Sequence, residues 1–263
     1  MDIATVKAAS ALLVRHWEEG TVLEKLPGAL RPKTRMEGYL IQAQIESISK
    51  SPLFGWKIAA TSAAGQKHIA VDGPLAGRLL AEKVHEDGDV IPFGGNRMRV
   101  VELEFAYRMG RDLPPKPAPY QTHEVFDAIA DLHLAIEIPD SRFADFVTAG
   151  GPQIIADNAC ANRFLLGPKA PAVWRELHLA KHRMVGRIGS RLEREGVGAN
   201  VLGDPRLALT WLVNELSSLN VTLAAGQVVT TGTCVVPMEV EPGDVVTADF
   251  GVLGTVGCRI GNV

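Results

Sequence analysis

Residues 100–109 read VVELEFAYRM. From Val101 to Phe105 apolar and acidic positions alternate with period two, which is β-strand patterning, and turn-forming residues flank the run. On such a strand Val101, Leu103 and Phe105 share one face, while Glu102 and Glu104 share the other about 7 Å apart. Two carboxylates so placed repel unless water solvates them or a cation bridges them. Hard cations such as Mg2+ and Mn2+ favour carboxylate oxygens. A solvent-facing strand and a metal-binding strand both fit this stretch.

Other short runs carry strand chemistry. GWKIAAT (55–61) leaves a turn, and LAIEIPD (134–140) is apolar with one acid inside it. Residues 221–263 alternate β-branched runs with Gly and Pro: VVTTGTC, VVPMEVEPGDVVTADFG and GTVGCRIG. Helical spacing marks residues 3–17, through Ile3, Val6, Leu13 and Trp17, and residues 35–48, through Met36, Leu40, Ala43 and Ile48. Pro27-Gly28 and Pro32 place a loop between them. Two further helices are expected at about 171–194 and 205–218, and the Pro-rich RDLPPKPAPY (111–120) is a loop. The fold class is therefore α+β, with mixed sheets and helices grouped at one end. Residues 1–53 form a helical cap region, and 54–263 form one β-rich globular unit.

The 263 residues carry 27 Lys and Arg against 30 Asp and Glu, a formal net charge of -3. That balance argues against nucleic acid as a partner. No apolar run approaches the length of a membrane span, and the N-terminus reads as mature sequence without a signal peptide. Cys160, Cys234 and Cys258 are few, odd in number and without a CxxC pair, which suits free thiols in a reducing, cytoplasmic setting and disfavours structural zinc. The motifs GxGxxG, GxxxxGK[ST], HExxH and GxSxG are absent in the required contexts.

Glu137 lies among Ala135, Ile136 and Ile138, where a lone carboxylate is costly unless a Lys or Arg pairs with it or a metal binds it. Lys57, between Trp56 and Ile58, could move protons, although a lysine in such a strand more often snorkels to solvent. His178 and His182 have ligand spacing for a helix, but they sit among basic residues that suggest a solvated face. Asp157-Asn158 could cap a helix or orient a ligand. Gly232 and Thr233 could offer backbone N–H groups to an anion or form a turn.

The ordered segments GWKIAATS, VVELEFAY, LAIEIPDSRF, IADNACANRFLLG and VVTTGTCVVPMEVEPGDVVTADFGVLGTVGCRI, with the helical TRMEGYLIQAQI, resemble the 2-oxopent-4-enoate hydratase / 4-oxalocrotonate decarboxylase group of the fumarylacetoacetate hydrolase superfamily. The resemblance covers nearly the whole chain. It implies a mixed β-roll with an N-terminal helical region, and one Mg2+ or Mn2+ held by Glu102, Glu104 and Glu137. A small 2-oxo acid would be the substrate, and Lys57 the proton-transfer residue or carboxylate contact. It also implies a homo-oligomer, allows its association with a partner enzyme of the same aromatic meta-cleavage route, and implies a substrate-binding set of Leu75, Asp157, Cys160 and Thr233. Two departures stand out. VDGPLAG has Leu75 where the hydratases carry an acid, with Asp72 matching only the first Asp of that pattern. DNACA has Cys160 and Ala161 in place of two hydroxyl residues. The resemblance makes hydration of a 2-hydroxy-2,4-dienoate the leading expectation, with decarboxylation of a 2-oxo diacid, favoured by Leu75, as the alternative. An acylpyruvate hydrolase relying on His16-Trp17-Glu18 and a non-catalytic partner subunit are less favoured.

Overall fold

The computed structural model describes residues 1–262. In chain order the elements are α1 (Ile3–Glu19), α2 (Arg35–Ala43), β1 (Gly55–Ala59), α3 (Ala63–His68), β2 (Leu75–Leu79), β3 (Val84–Glu86), β4 (Val90–Ile91) and β5 (Val100–Met109). They continue with α4 (Thr122–Phe126), β6 (Ile129–Ile138), α5 (Gly151–Ala156), β7 (Arg163–Lys169), β8 (Arg183–Ile188) and β9 (Leu192–Val197). The last are α6 (Pro205–Ser218), β10 (Val228–Thr233), β11 (Met238–Glu239), β12 (Val245–Asp249) and β13 (Thr255–Ile260).

The strands form two sheets. The larger runs β2-β1-β10-β5-β6-β7-β3, with β11 also on β5, and the smaller runs β4-β13-β12-β8-β9. The larger sheet is mixed: β1 is parallel to β10 and β3 to β7, while β5 is antiparallel to both its neighbours. It is strongly rolled. Phe54, at the entry to β1, has its ring centroid 6.4 Å from that of Phe164 on β7. Four strand spacings of a flat sheet would separate them by roughly 19 Å. The expected mixed β-roll is what the chain forms.

The strand reading of 100–109 holds, but both faces of β5 are enclosed. Val101, Leu103, Phe105 and Tyr107 are fully buried in the core between the sheets, where the Phe105 ring lies 5.4 Å from that of Phe250. The opposite face lines the inside of the roll.

Residues 171–194 do not form the expected helix. Short 3-10 turns at Ala172–Arg175 and Leu179–Lys181 lead into the β8–β9 hairpin. The apolar residues of 177–188 also satisfy period two, with Met184, Gly186 and Ile188 facing inward. Gly186 packs closely in the strand. A Cβ there would come within 2.7 Å of Leu103 Cδ1 and closer still to Met238 Sδ, so a side chain at 186 would force both neighbours to shift. His178 and His182 therefore share no helix face, and His182 Nε2 contacts the Phe250 carbonyl oxygen at 2.7 Å.

The N-terminal helices are present, with a different inward face on α2. Asp2 caps α1 by accepting from the Thr5 N–H at 2.8 Å, and Thr34 caps α2. Val6 and Leu13 are buried as expected, but Ile3 is exposed. On α2 the expected stripe of Met36 and Leu40 faces outward, as does Ile48 beyond it, whereas Gly38, Tyr39, Ile41 and Gln42 are buried. Gln42 is polar, yet it belongs inside: its amide nitrogen donates to the carbonyls of Ala76 and Ile155, both at 2.8 Å. The helix at Pro205–Ser218 lies where the sequence places it, capped by Asp204.

Candidate functional site

The register of β5 against β6 builds the site. Glu102 stands directly opposite Glu137, and Glu104 opposite Ala135, so the three glutamates share the inner face of the roll. One carboxylate oxygen from each lies within 4.8 Å of the others. Glu104 and Glu137 are buried, and Glu102 keeps partial exposure.

Lys57 reaches the same point from β1, although β10 and β5 stand between β1 and β6. Its Nζ is 3.0 Å from Glu137 Oε1 and donates to the Ala159 carbonyl at 3.0 Å. Lys57 is 2% exposed, so it does not snorkel. Its path runs over Gly77, its partner on β2, where a Cβ would lie 2.9 Å from Lys57 Cγ and 2.5 Å from the Asn158 carbonyl oxygen.

The 230–233 segment of β10 holds Glu104. A bulge shifts the register between Thr230 and Thr233, the local re-aiming that bulges produce. The Thr230 hydroxyl and the Gly232 N–H (2.8 Å) both donate to Glu104 Oε2. Gly232 thus does present its N–H to an anion, and that anion is one of the chain's own carboxylates. Glu104 Oε1 and Glu137 Oε2 have no hydrogen-bond donor among the described residues. Converging buried acceptors without donors are what a divalent cation satisfies, so the donor set fits a hard metal ion.

The titration behaviour follows from three acids facing one lysine. Burial, then the Glu137 carboxylate, push Glu102 up to about 7, with Lys57 pulling the other way. Glu104 lies well above the carboxylate range for the same reason, burial first and then both acidic neighbours. Burial also raises Glu137 against the pull of Lys57. For Lys57, burial favours the neutral amine, but Glu137 and then Glu102 outweigh it and keep the ammonium charged.

The remaining expected residues are placed as follows. Leu75 is fully buried on β2 opposite Ala59, two residues from Gly77, and so shares the face of Lys57. Thr233 pairs with Glu104 in register, but its hydroxyl donates to the Val235 carbonyl at 2.8 Å. Cys160 is buried beside Lys57, with its thiol pushed up to about 12 by burial and then by Asp157. Asp72 is exposed, outside the cluster.

Asp157 is paired within the chain. Oδ2 accepts from Ser141 Oγ at 2.7 Å and from the Arg142 N–H at 3.0 Å, and Oδ1 accepts from Arg142 Nε. With both oxygens engaged by Ser141 and Arg142, Asp157 staples a turn. Asn158, Ala159 and Cys160 have φ of 55°, 51° and 60°, a left-handed conformation that costs roughly 1–2 kcal/mol for each non-glycine residue, least for Asn. Thr230, which donates to Glu104, is marked in the sequence only by a hydroxyl in a strand, and Asn158, which bonds the Arg78 backbone, by the Asp157-Asn158 pair. His16 and Glu18 lie two apart on α1, which turns them to different faces. His16 Nδ1 contacts Thr21 Oγ1 at 2.6 Å, so the water-activating His–Glu pair of a hydrolase is not formed there.

Among the described residues no helix is long and apolar enough to cross a membrane. A 2-keto-4-pentenoate hydratase of Paraburkholderia xenovorans is 33% identical over 205 residues, covering 77% of this chain and 74% of its own. A 2-keto-4-pentenoate hydratase of Dechloromonas aromatica is 29% identical over 97% of both chains. In structure, 4-oxalocrotonate decarboxylase from Pseudomonas putida G7, complexed with magnesium and adipate, superposes with a TM-score of 0.90 over 99% of this chain and 98% of its own at 25% identity. The family model described as fumarylacetoacetate (FAA) hydrolase C-terminal matches residues 52–261, the stretch that carries the roll and every acid of the cluster, and the chain belongs to that family.

Proposed function

We propose that the protein is a metal-dependent lyase that hydrates a 2-hydroxy-2,4-dienoate of the 2-oxopent-4-enoate type to a 4-hydroxy-2-oxo acid in aromatic meta-cleavage catabolism. The observation that carries this reading is the convergence of Glu102, Glu104 and Glu137 within 4.8 Å beside a buried, charged Lys57. The hydratase names of the relatives support it.

Glu102, Glu104 and Glu137 would hold Mg2+ or Mn2+. Once bound, the ion supplies electrostatic stabilisation for negative charge that develops on a substrate oxygen. Lys57 supplies the mobile proton: its Nζ, held protonated by Glu137, delivers a proton to the substrate carbon on ketonisation or contacts the substrate carboxylate. Gly232 and Thr230 orient Glu104 so that its other oxygen stays open to the ion. Cys160 and Thr233 border this space without an assigned bond to substrate. The exposed Ile3, Met36, Leu40 and Ile48 on the N-terminal segments support association with further copies, and a partner enzyme of the same route would extend it. The three free thiols suit a cytoplasmic setting.

Leu75 favours a second reading, decarboxylation of a 4-oxalocrotonate-type 2-oxo diacid. It puts a fully buried aliphatic side chain on the Lys57 face, where water addition would need an acid or base. The test incubates the protein and Mg2+ with 2-hydroxypenta-2,4-dienoate and follows products by proton NMR. Appearance of 4-hydroxy-2-oxopentanoate, abolished by chelator, is expected. No hydration of the dienoate, together with release of CO2 from the diacid, would replace the hydratase reading with the decarboxylase.

A further inference from the structure

Lys57 Nζ meets two acceptors, and only one of them, Glu137, belongs to the cluster. The other is the Ala159 carbonyl, which faces Lys57 because the chain bends left-handed through Asn158, Ala159 and Cys160. No glycine eases that bend, so other contacts must hold it.

Two side chains do so. Arg142 donates from Nε to Asp157 Oδ1, from Nη2 to the Asp157 carbonyl, and from Nη1 to the carbonyls of Asp140 and Ala161, both at 2.9 Å. One guanidinium thereby ties down both ends of the bend. Asn158 holds its first residue: its Oδ1 accepts from the Arg78 N–H at 2.6 Å and its Nδ2 donates to the Arg78 carbonyl at 2.8 Å, as a neighbouring strand would. Both side chains are buried, Arg142 at 3% and Asn158 at 2% exposure. The fork geometry of the guanidinium is what lets a single residue fill these positions.

We propose that Arg142 and Asn158 are positioning residues that lock the left-handed turn and aim the Ala159 carbonyl at Lys57, fixing the ammonium at one place beside Glu137. The proposal rests on the reading of Lys57 as the proton-transfer residue. Neither side chain makes a hydrogen bond or ion pair with the glutamate cluster, so their loss should disturb Lys57 and spare metal affinity.

The test uses Arg142→Gln and Asn158→Gly in the full chain. Asn158→Gly removes only the two side-chain bonds at a position whose φ glycine accepts, so it folds even if Arg142→Gln, which strands the Asp157 charge, does not. Three readouts are taken: Mg2+ affinity by calorimetry, kcat and KM with the substrate, and the Lys57 methylene signal in protein labelled with 13C at lysine Cε, assigned by its loss in Lys57→Met. We expect inequivalent Hε protons in the wild type, as for a lysine held in one position. The variants should show their collapse to one averaged signal and a fall in kcat of tenfold or more, with KM and Mg2+ affinity within twofold. A folded Asn158→Gly with wild-type kcat and inequivalent Hε protons overturns the proposal. Wild-type protein that turns over neither the dienoate nor the diacid sinks the functional reading instead, and the Lys57 signal still decides the positioning.

Discussion

Replacing Glu104 by Gln separates what the acid cluster costs from what it is for. At 4.8 Å and an effective dielectric near 20, each ionised carboxylate pair repels by about 3.5 kcal/mol. Glu104 faces two such neighbours, and the chain meets part of that cost by holding protons on the acids. The amide can keep its oxygen on Thr230 and Gly232, while its NH2 takes the place of the orphaned Oε1 and donates to a neighbouring acid. Without metal, Glu104→Gln should therefore melt at or above the wild type. A divalent ion at about 100 times its Kd stabilises the native state by about 2.7 kcal/mol. For a chain of this length that is a rise of about 5–10 °C in Tm. Loss of outer-sphere partners alone weakens metal sites by about 10–100-fold, so losing a ligand should cost about a hundredfold or more. At the same ion concentration the gain then falls to about 0.4 kcal/mol, or about 1 °C. Scanning fluorimetry in chelator and in Mg2+ reads both numbers for both proteins. An unchanged Mg2+ shift in Glu104→Gln would refute the ligand assignment, and a large drop in its metal-free Tm would refute the charge argument.

Lys57→Met should bind Mg2+ at least as tightly as wild type by calorimetry, since it frees Glu137 from its ion pair, yet lose most turnover; wild-type rates would remove Lys57 from the mechanism. Gly77→Ala forces a Cβ against Lys57 Cγ and the Asn158 carbonyl, which should cost about 1–3 kcal/mol and about 2–12 °C of Tm, read by thermal unfolding. Glu102 rises from 4.5 in its ordinary state to about 7 in the folded chain. Between those values the native state holds a proton that the unfolded chain has released, so metal-free stability is highest below this window and falls as pH rises through it. The ion displaces that proton, and Mg2+ affinity should climb by at least about fivefold from pH 6 to pH 7, more steeply where Glu104 gives up a proton too, measurable by calorimetry in buffers of different ionisation enthalpy. An affinity independent of pH over that interval would show that Glu102 is already ionised.

The acids were legible because strand periodicity fixes which side chains share a face, and because an acid inside LAIEI has few ways to be tolerated. Their cross-strand match was not, since register depends on partners distant in sequence. The hairpin at 183–197 was not legible because its apolar spacing satisfies two periods at once, and the strand is selected by pairing with β12 and β9. The inward face of α2 was hidden by Gly38 and Gln42, which carry no hydrophobic signal although one permits close packing and the other bridges two carbonyls. Asp157 looked like a ligand contact because a carboxylate beside an Asn offers the same atoms to an arginine as to a substrate; only the fold brings Arg142 to it.

The face shared by the three glutamates also guards assembly. Sliding β5 by a single residue against β6 would swing Glu102 and Glu104 out of the roll and into the space now filled by Leu103, Phe105 and Phe250, where neither lysine nor ion could reach them. An apolar strand of the same length would pass that error with little complaint. Here the slipped pairing cannot persist, so the carboxylates that strain the correct sheet also proofread it.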